Sequence, residues 1–148
     1  MTYAAAILGC SGLVLTAEER ALFADVRPWG FILFRRNIDT PGQVRALVDE
    51  LRACTGVANA PVLIDQEGGR VQRLGPPHWR RYPPGRAYGQ LPANDPLLRR
   101  EITRLGARLM AHDLAALGIS VFVCGSDQSW VIASGRQIRR AFDAAMGG

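Results

Sequence analysis

Lysine is absent from this chain: all 18 of its basic residues are arginines. A Schiff-base lysine and a lysine-bearing phosphate loop are therefore excluded before any motif is sought. Cysteine is scarce, with Cys10, Cys54 and Cys124 widely spaced and no C-x-x-C pair, and the two histidines, His78 and His112, stand apart. That pattern argues against a zinc site and for reduced thiols in a cytoplasmic setting. No run approaches the roughly 18 apolar residues of a membrane span, so no contact with a membrane is expected. The stretch Ile7-Leu-Gly-Cys10 has the form of a lipoprotein cleavage site, but no basic segment precedes it, so a signal peptide is not expected. At 148 residues the chain is also too short for a complete eight-stranded α/β barrel, which needs about 250.

What is present reads as one globular domain, with 48% hydrophobic and 21% charged residues. The net charge of +5 permits a polyanionic partner without requiring one. Short apolar runs at Tyr3–Leu8, Phe31–Phe34, Pro61–Ile64 and Ile119–Val123 read as strands, and helical signals fall between them. Thr16 and Glu19 have the spacing of a capping box, and Thr40-Pro41 opens a second helix. In that helix Val44, Leu47, Val48 and Leu51 form one apolar stripe; after Asp95-Pro96 a third helix is predicted to bury Leu98, Ile102, Leu105 and Leu109. Strands alternating with helices imply a parallel sheet, and ligands gather at the carboxyl ends of such strands. The segments Gly9-Cys-Ser11, Arg35-Arg-Asn37 and Asp65-Gln-Glu67 share that end.

The segment Asp65-Gln-Glu-Gly-Gly-Arg-Val-Gln-Arg73 carries the most chemistry. A carboxylate accepts protons from vicinal hydroxyls while an arginine fork donates to a neighbouring oxygen, so Asp65 with Arg73 has the makings of a sugar grip. The competing reading is that Asp65, Glu67, Arg70 and Arg73 form a local ion-pair network bracing a turn. Asp65 and Glu67 do not suffice for hydrolysis, because a glycosidase sets its two carboxyl groups on opposite sides of the scissile bond.

The run Val62-Leu-Ile-Asp65-Gln-Glu-Gly-Gly-Arg-Val-Gln-Arg73 resembles the signature of glycoside hydrolase family 3, in particular the bacterial cytosolic β-N-acetylhexosaminidases. Gly30–Phe34 with Arg36-Asn37, and Ala111–Ile119, resemble further family segments, and the likeness covers about residues 3–121. It implies an α/β fold that is an incomplete (β/α) TIM-type barrel of about four strands. It further implies a retaining mechanism without metal or cofactor, and removal of terminal N-acetylglucosamine from muropeptides in cell-wall recycling. Asp65 and Arg73 would bind the saccharide's hydroxyls, with Glu67 and Arg70 supporting them.

Catalytic residues are not identified. The family's catalytic His and nucleophilic Asp are not found, and Asp127 only faintly echoes the nucleophile's context. The chain therefore divides into a barrel portion, 1–121, and a divergent or truncated tail, 122–148, in which Ile138, Phe142 and Met146 suggest a short helix. Open sheet edges predict self-association or a marginal fold. Residues 74–94 form a long loop whose His78, Trp79, Arg80, Arg81, Tyr82 and Tyr88 interleave base and aromatic ring. An alternative function is therefore a nucleic-acid or polyanion binding module using residues 78–88.

Overall fold

The computed structural model of the chain describes residues 3–92, 94–126 and 129–134. The chain runs β1 (Ala4–Leu8), α1 (Ala17–Val26), β2 (Pro28–Leu33), a 3-10 turn (Arg35–Asn37), α2 (Pro41–Thr55), β3 (Val62–Gly68) and β4 (Val71–Gln72). It continues through α3 (Gly85–Gly89), α4 (Pro96–Ala115), β5 (Val121–Ser126) and β6 (Ser129–Ser134). The strands lie in the order β1-β2-β3-β5-β6, with β4 paired to β3 outside that path. The β1–β2, β2–β3 and β3–β5 pairs are parallel, whereas β5–β6 and β3–β4 are antiparallel. This is the expected α/β architecture with a mostly parallel sheet.

Local signals account for the first half. Thr16 Oγ1 accepts from Glu19 N at 3.1 Å while Glu19 Oε2 accepts from Thr16 N at 2.9 Å, the reciprocal pair that starts α1. Thr40 caps α2 through Gln43 N, with Pro41 in the first turn. Helix α2 buries Val44, Leu47, Val48 and Leu51 as its periodicity predicts. Phe23 of α1 meets Phe31 of β2 edge-on, centroids 5.1 Å apart, which seats the helix on the sheet.

Three expectations are corrected. Strand β2 begins at Pro28 rather than Phe31, because Arg27 adopts a left-handed conformation that ends α1 at once and Pro28 pairs with Ala4. Strand β3 runs through Gly68, so Asp65, Gln66 and Glu67 are strand residues and not the loop after it. Helix α4 buries Gly106, Met110 and Leu114, whereas Leu98, Ile102, Leu105 and Leu109 are exposed. The helix carries two apolar arcs roughly 100° apart around its axis. The arc that faces inward is the one whose glycine admits the Tyr88 ring: a Cβ at Gly106 would collide with the Tyr88 hydroxyl.

Part of the predicted loop 74–94 is the short helix α3. Within the predicted tail, residues 122–126 complete β5 and 129–134 form β6. Asp127 and the helix suggested by Ile138, Phe142 and Met146 lie outside the described residues.

Candidate functional site

The loops after β1 and β2 are joined by a buried amide. Asn37 is fully buried; its Nδ2 donates to the Cys10 carbonyl at 3.1 Å and the Gly12 carbonyl at 2.8 Å, and its Oδ1 accepts from Phe34 N at 2.9 Å. Arg36 Nε adds a bond to the Cys10 carbonyl at 2.9 Å, its guanidinium lying over the Phe34 ring. Glu19 closes the other side by accepting from Ser11 N at 2.7 Å. The Cys10 thiol sits inside this frame, and burial, aided by the Glu19 carboxylate, pushes it up to about 11. It is thus a structural thiol and not a nucleophile.

The β3–β4 hairpin brings the two principal residues together. Gly68 and Gly69 have φ of +83° and +62° and turn the chain back on itself. Gln66 then pairs with Gln72 across the ladder, and Arg73 returns alongside Asp65. Arg73 Nη2 donates to Asp65 Oδ2 at 2.8 Å, and the two side chains keep 28% and 23% of their surface open. The groups named from the sequence therefore converge while remaining accessible. Glu67 is half-buried and Arg70 exposed on the turn, and among the described residues neither makes a hydrogen bond to Asp65 or Arg73.

Two glutamines that sequence reasoning missed hold the main chain beside the pair. Gln66, 1% exposed, accepts from Arg73 N and Leu74 N and donates to the Leu74 carbonyl. Gln72 donates to the carbonyls of Leu74 and Arg80 at 2.7 and 2.6 Å and accepts from Tyr82 N at 2.9 Å. The signal was the strand alternation: Val62, Ile64 and Gln66 share one face of β3, so a polar residue at the third of these positions is a buried one.

The loop after the hairpin spends its aromatic rings on packing. Trp79 lies against the core, Tyr82 is buried with its hydroxyl bonded to Asp113, and Tyr88 covers Gly106. Burial first, then the Asp113 carboxylate, pushes the Tyr82 hydroxyl well above its ordinary range. His78 and Arg80, Arg81 and Arg86 stay exposed. Among the described residues no cluster of His, Cys, Asp or Glu side chains is arranged to hold a metal ion, and no helix is long and apolar enough to cross a membrane.

No family model matches the chain. It is 37% identical over 142 residues to the β-hexosaminidase of Alkalilimnicola ehrlichii, covering 90% of this chain and 36% of that protein. To the β-hexosaminidase of Thioalkalivibrio sulfidiphilus it is 34% identical over 119 residues, covering 80% and 34%. The first match takes in more of the chain than the residues 3–121 that carry the resemblance in sequence. Among solved structures, native NagZ of Neisseria gonorrhoeae superposes with a TM-score of 0.76 at 28% identity, covering 83% of this chain and 36% of that one. The same enzyme in complex with N-trifluoroacetyl-D-glucosamine gives 0.72 at 30% identity, covering 79% and 34%. The chain thus spans about a third of the length of the curated relatives it matches.

Proposed function

We propose that this chain, which belongs with the β-hexosaminidases of glycoside hydrolase family 3, forms the sugar-gripping part of a β-N-acetylhexosaminidase site. In this reading its sheet is the opening portion of a TIM-type barrel, and the saccharide is a terminal N-acetylglucosamine, as on muropeptides recycled in the cytoplasm. The observation that carries the reading is the meeting of Asp65 with Arg73 at 2.8 Å on the accessible end of β3.

The chemistry follows from that pair. Asp65 is an acceptor-only group that takes protons from sugar hydroxyls, and the planar Arg73 fork donates to an adjacent ring substituent. Charge-assisted bonds of this kind are roughly twice as strong as neutral ones and fix the ring's orientation. Glu67 and Arg70, on the same hairpin, are the supports of the pair in this reading. In a complete retaining site a carboxylate nucleophile forms a glycosyl-enzyme that water then hydrolyses. The only histidines of this chain are His78 and His112, and neither stands in the family's catalytic context, so the chain by itself turns over poorly.

Calorimetric titration with N-acetylglucosamine tests the grip. Saturable binding is expected for the wild type, weakened about tenfold or more by Asp65→Asn and by Arg73→Met; no binding, or equal binding by all three, overturns it. A chromogenic N-acetylglucosaminide tests turnover, and robust hydrolysis by the chain alone would refute the view that catalytic groups are missing.

A further inference from the structure

We propose that Gln66 is the positioning residue of the sugar grip: its buried amide fixes the backbone of Arg73 and so the direction from which the guanidinium reaches Asp65. The inference rests on the reading of Asp65 and Arg73 as a saccharide site.

Gln66 follows Asp65 in β3, so its side chain leaves the opposite face of the strand and, at 1% exposure, cannot touch a ligand. The β3–β4 ladder pairs Gln66 with Gln72, and Arg73 and Leu74 lie beyond β4. The side chain of Gln66 takes over as their partner. Its Oε1 accepts from Arg73 N at 3.0 Å and Leu74 N at 3.1 Å, and its Nε2 donates to the Leu74 carbonyl at 3.1 Å. One amide therefore fastens three main-chain groups of two successive residues, and Leu74 is wholly buried beneath them.

The far end of Arg73 is held by much less. Among the described residues its guanidinium has one hydrogen bond, to Asp65, and its buried Nε has none. Its aim is consequently set from the backbone end, where Gln66 acts. Apolar replacement of Gln66 leaves the Arg73 and Leu74 N–H groups without partners, while the Leu74 carbonyl keeps its bond from Gln72 at 2.7 Å, and the two N–H groups recover partners by moving the chain at Arg73. Glutamic acid is different. Buried and protonated, it has the shape of glutamine, with a carbonyl oxygen to accept and a hydroxyl to donate; ionised, it repels the Leu74 carbonyl.

The test uses the full chain as wild type, Gln66→Met and Gln66→Glu, with N-acetylglucosamine as probe and amide hydrogen exchange at Arg73 and Leu74 as a second readout. Gln66→Met is expected to raise exchange at both amides and to weaken sugar binding about tenfold or more. Gln66→Glu is expected to restore sugar affinity and amide protection, taken relative to the intrinsic exchange rate at each pH, near about pH 5.5 and to lose them toward about pH 8, a profile the wild type does not share. Unchanged affinity in Gln66→Met, or a Gln66→Glu variant that is no better than it at either pH, overturns the proposal. Should Gln66→Met fail to fold, the pH profile of Gln66→Glu decides alone. Should the wild type bind no sugar, the saccharide reading fails. Gln66 is then judged by the Arg73 Nε–H nuclear magnetic resonance signal: a shift in Gln66→Met sustains its role, and an unmoved signal ends it.

Discussion

Tyr82 donates its hydroxyl proton to Oδ2 of Asp113 over 2.6 Å, a contact between residues 31 positions apart that ties the loop after the hairpin to helix α4. The acceptor is a half-buried carboxylate, so removing the donor costs more than an ordinary neutral bond. Tyr82→Phe keeps the buried ring and deletes only the oxygen. It is expected to lower unfolding free energy by about 1–2 kcal/mol, read from urea denaturation. A change within about 0.3 kcal/mol would mean that water replaces the bond at no cost.

The hairpin depends on a glycine in a more absolute way. Gly68 combines a φ of +83° with contact against the Pro83 carbonyl, into which any Cβ would be driven. Left-handed strain of about 1–2 kcal/mol adds to that collision. Gly68→Ala is expected to cost about 3 kcal/mol or more and to release the loop, seen as raised amide exchange at Gly69, whose N–H now meets the Tyr82 carbonyl at 2.9 Å.

Helix α4 separates what local pattern can and cannot tell. The capping residues Thr16 and Thr40 and the stripe of α2 were legible because each is decided by neighbours within a turn. In α4 two apolar arcs compete, and only the core that Leu114 joins and the Tyr88 ring against Gly106 decide between them. The convergence of Asp65 and Arg73 was legible because a double glycine between them makes a hairpin. The role of Gln66 was not, since glutamine on a surface and glutamine in a core read alike until the strand's full extent is known. The choice of arc has a measurable consequence: Leu114→Ala is expected to cost about 2–5 kcal/mol, and Leu105→Ala, at an exposed position, under about 0.5.

Cys10 gives the fold a pH dependence. Its thiol rises from an ordinary 9.0 to about 11 in the folded chain, chiefly through burial, so folding favours the protonated form. The stabilisation is complete below about pH 9, where the unfolded thiol is also protonated, and is lost as pH climbs toward 11. The urea midpoint is therefore expected to fall across that interval, and Cys10→Ala to fall less steeply over the same range. The thiol should also resist disulfide reagents at neutral pH until the protein is denatured.

Asp65 and Arg73 decide between two readings of the same motif: a brace for the turn, or a grip for a ligand. As a brace, the pair must contribute to stability. Yet each partner keeps about a quarter of its surface in water, and ion pairs this open contribute at most about 1 kcal/mol. The turn itself is already secured by Gly68, Gly69 and the amides of Gln66 and Gln72. Asp65→Asn is accordingly expected to shift unfolding free energy by less than about 1 kcal/mol, measured by urea denaturation, while weakening sugar binding about tenfold or more. A loss above about 2 kcal/mol with sugar affinity unchanged would assign the pair to the architecture of the hairpin. The reverse outcome leaves two charged groups held in register, at little benefit to the fold, at the end of a parallel strand where ligands collect.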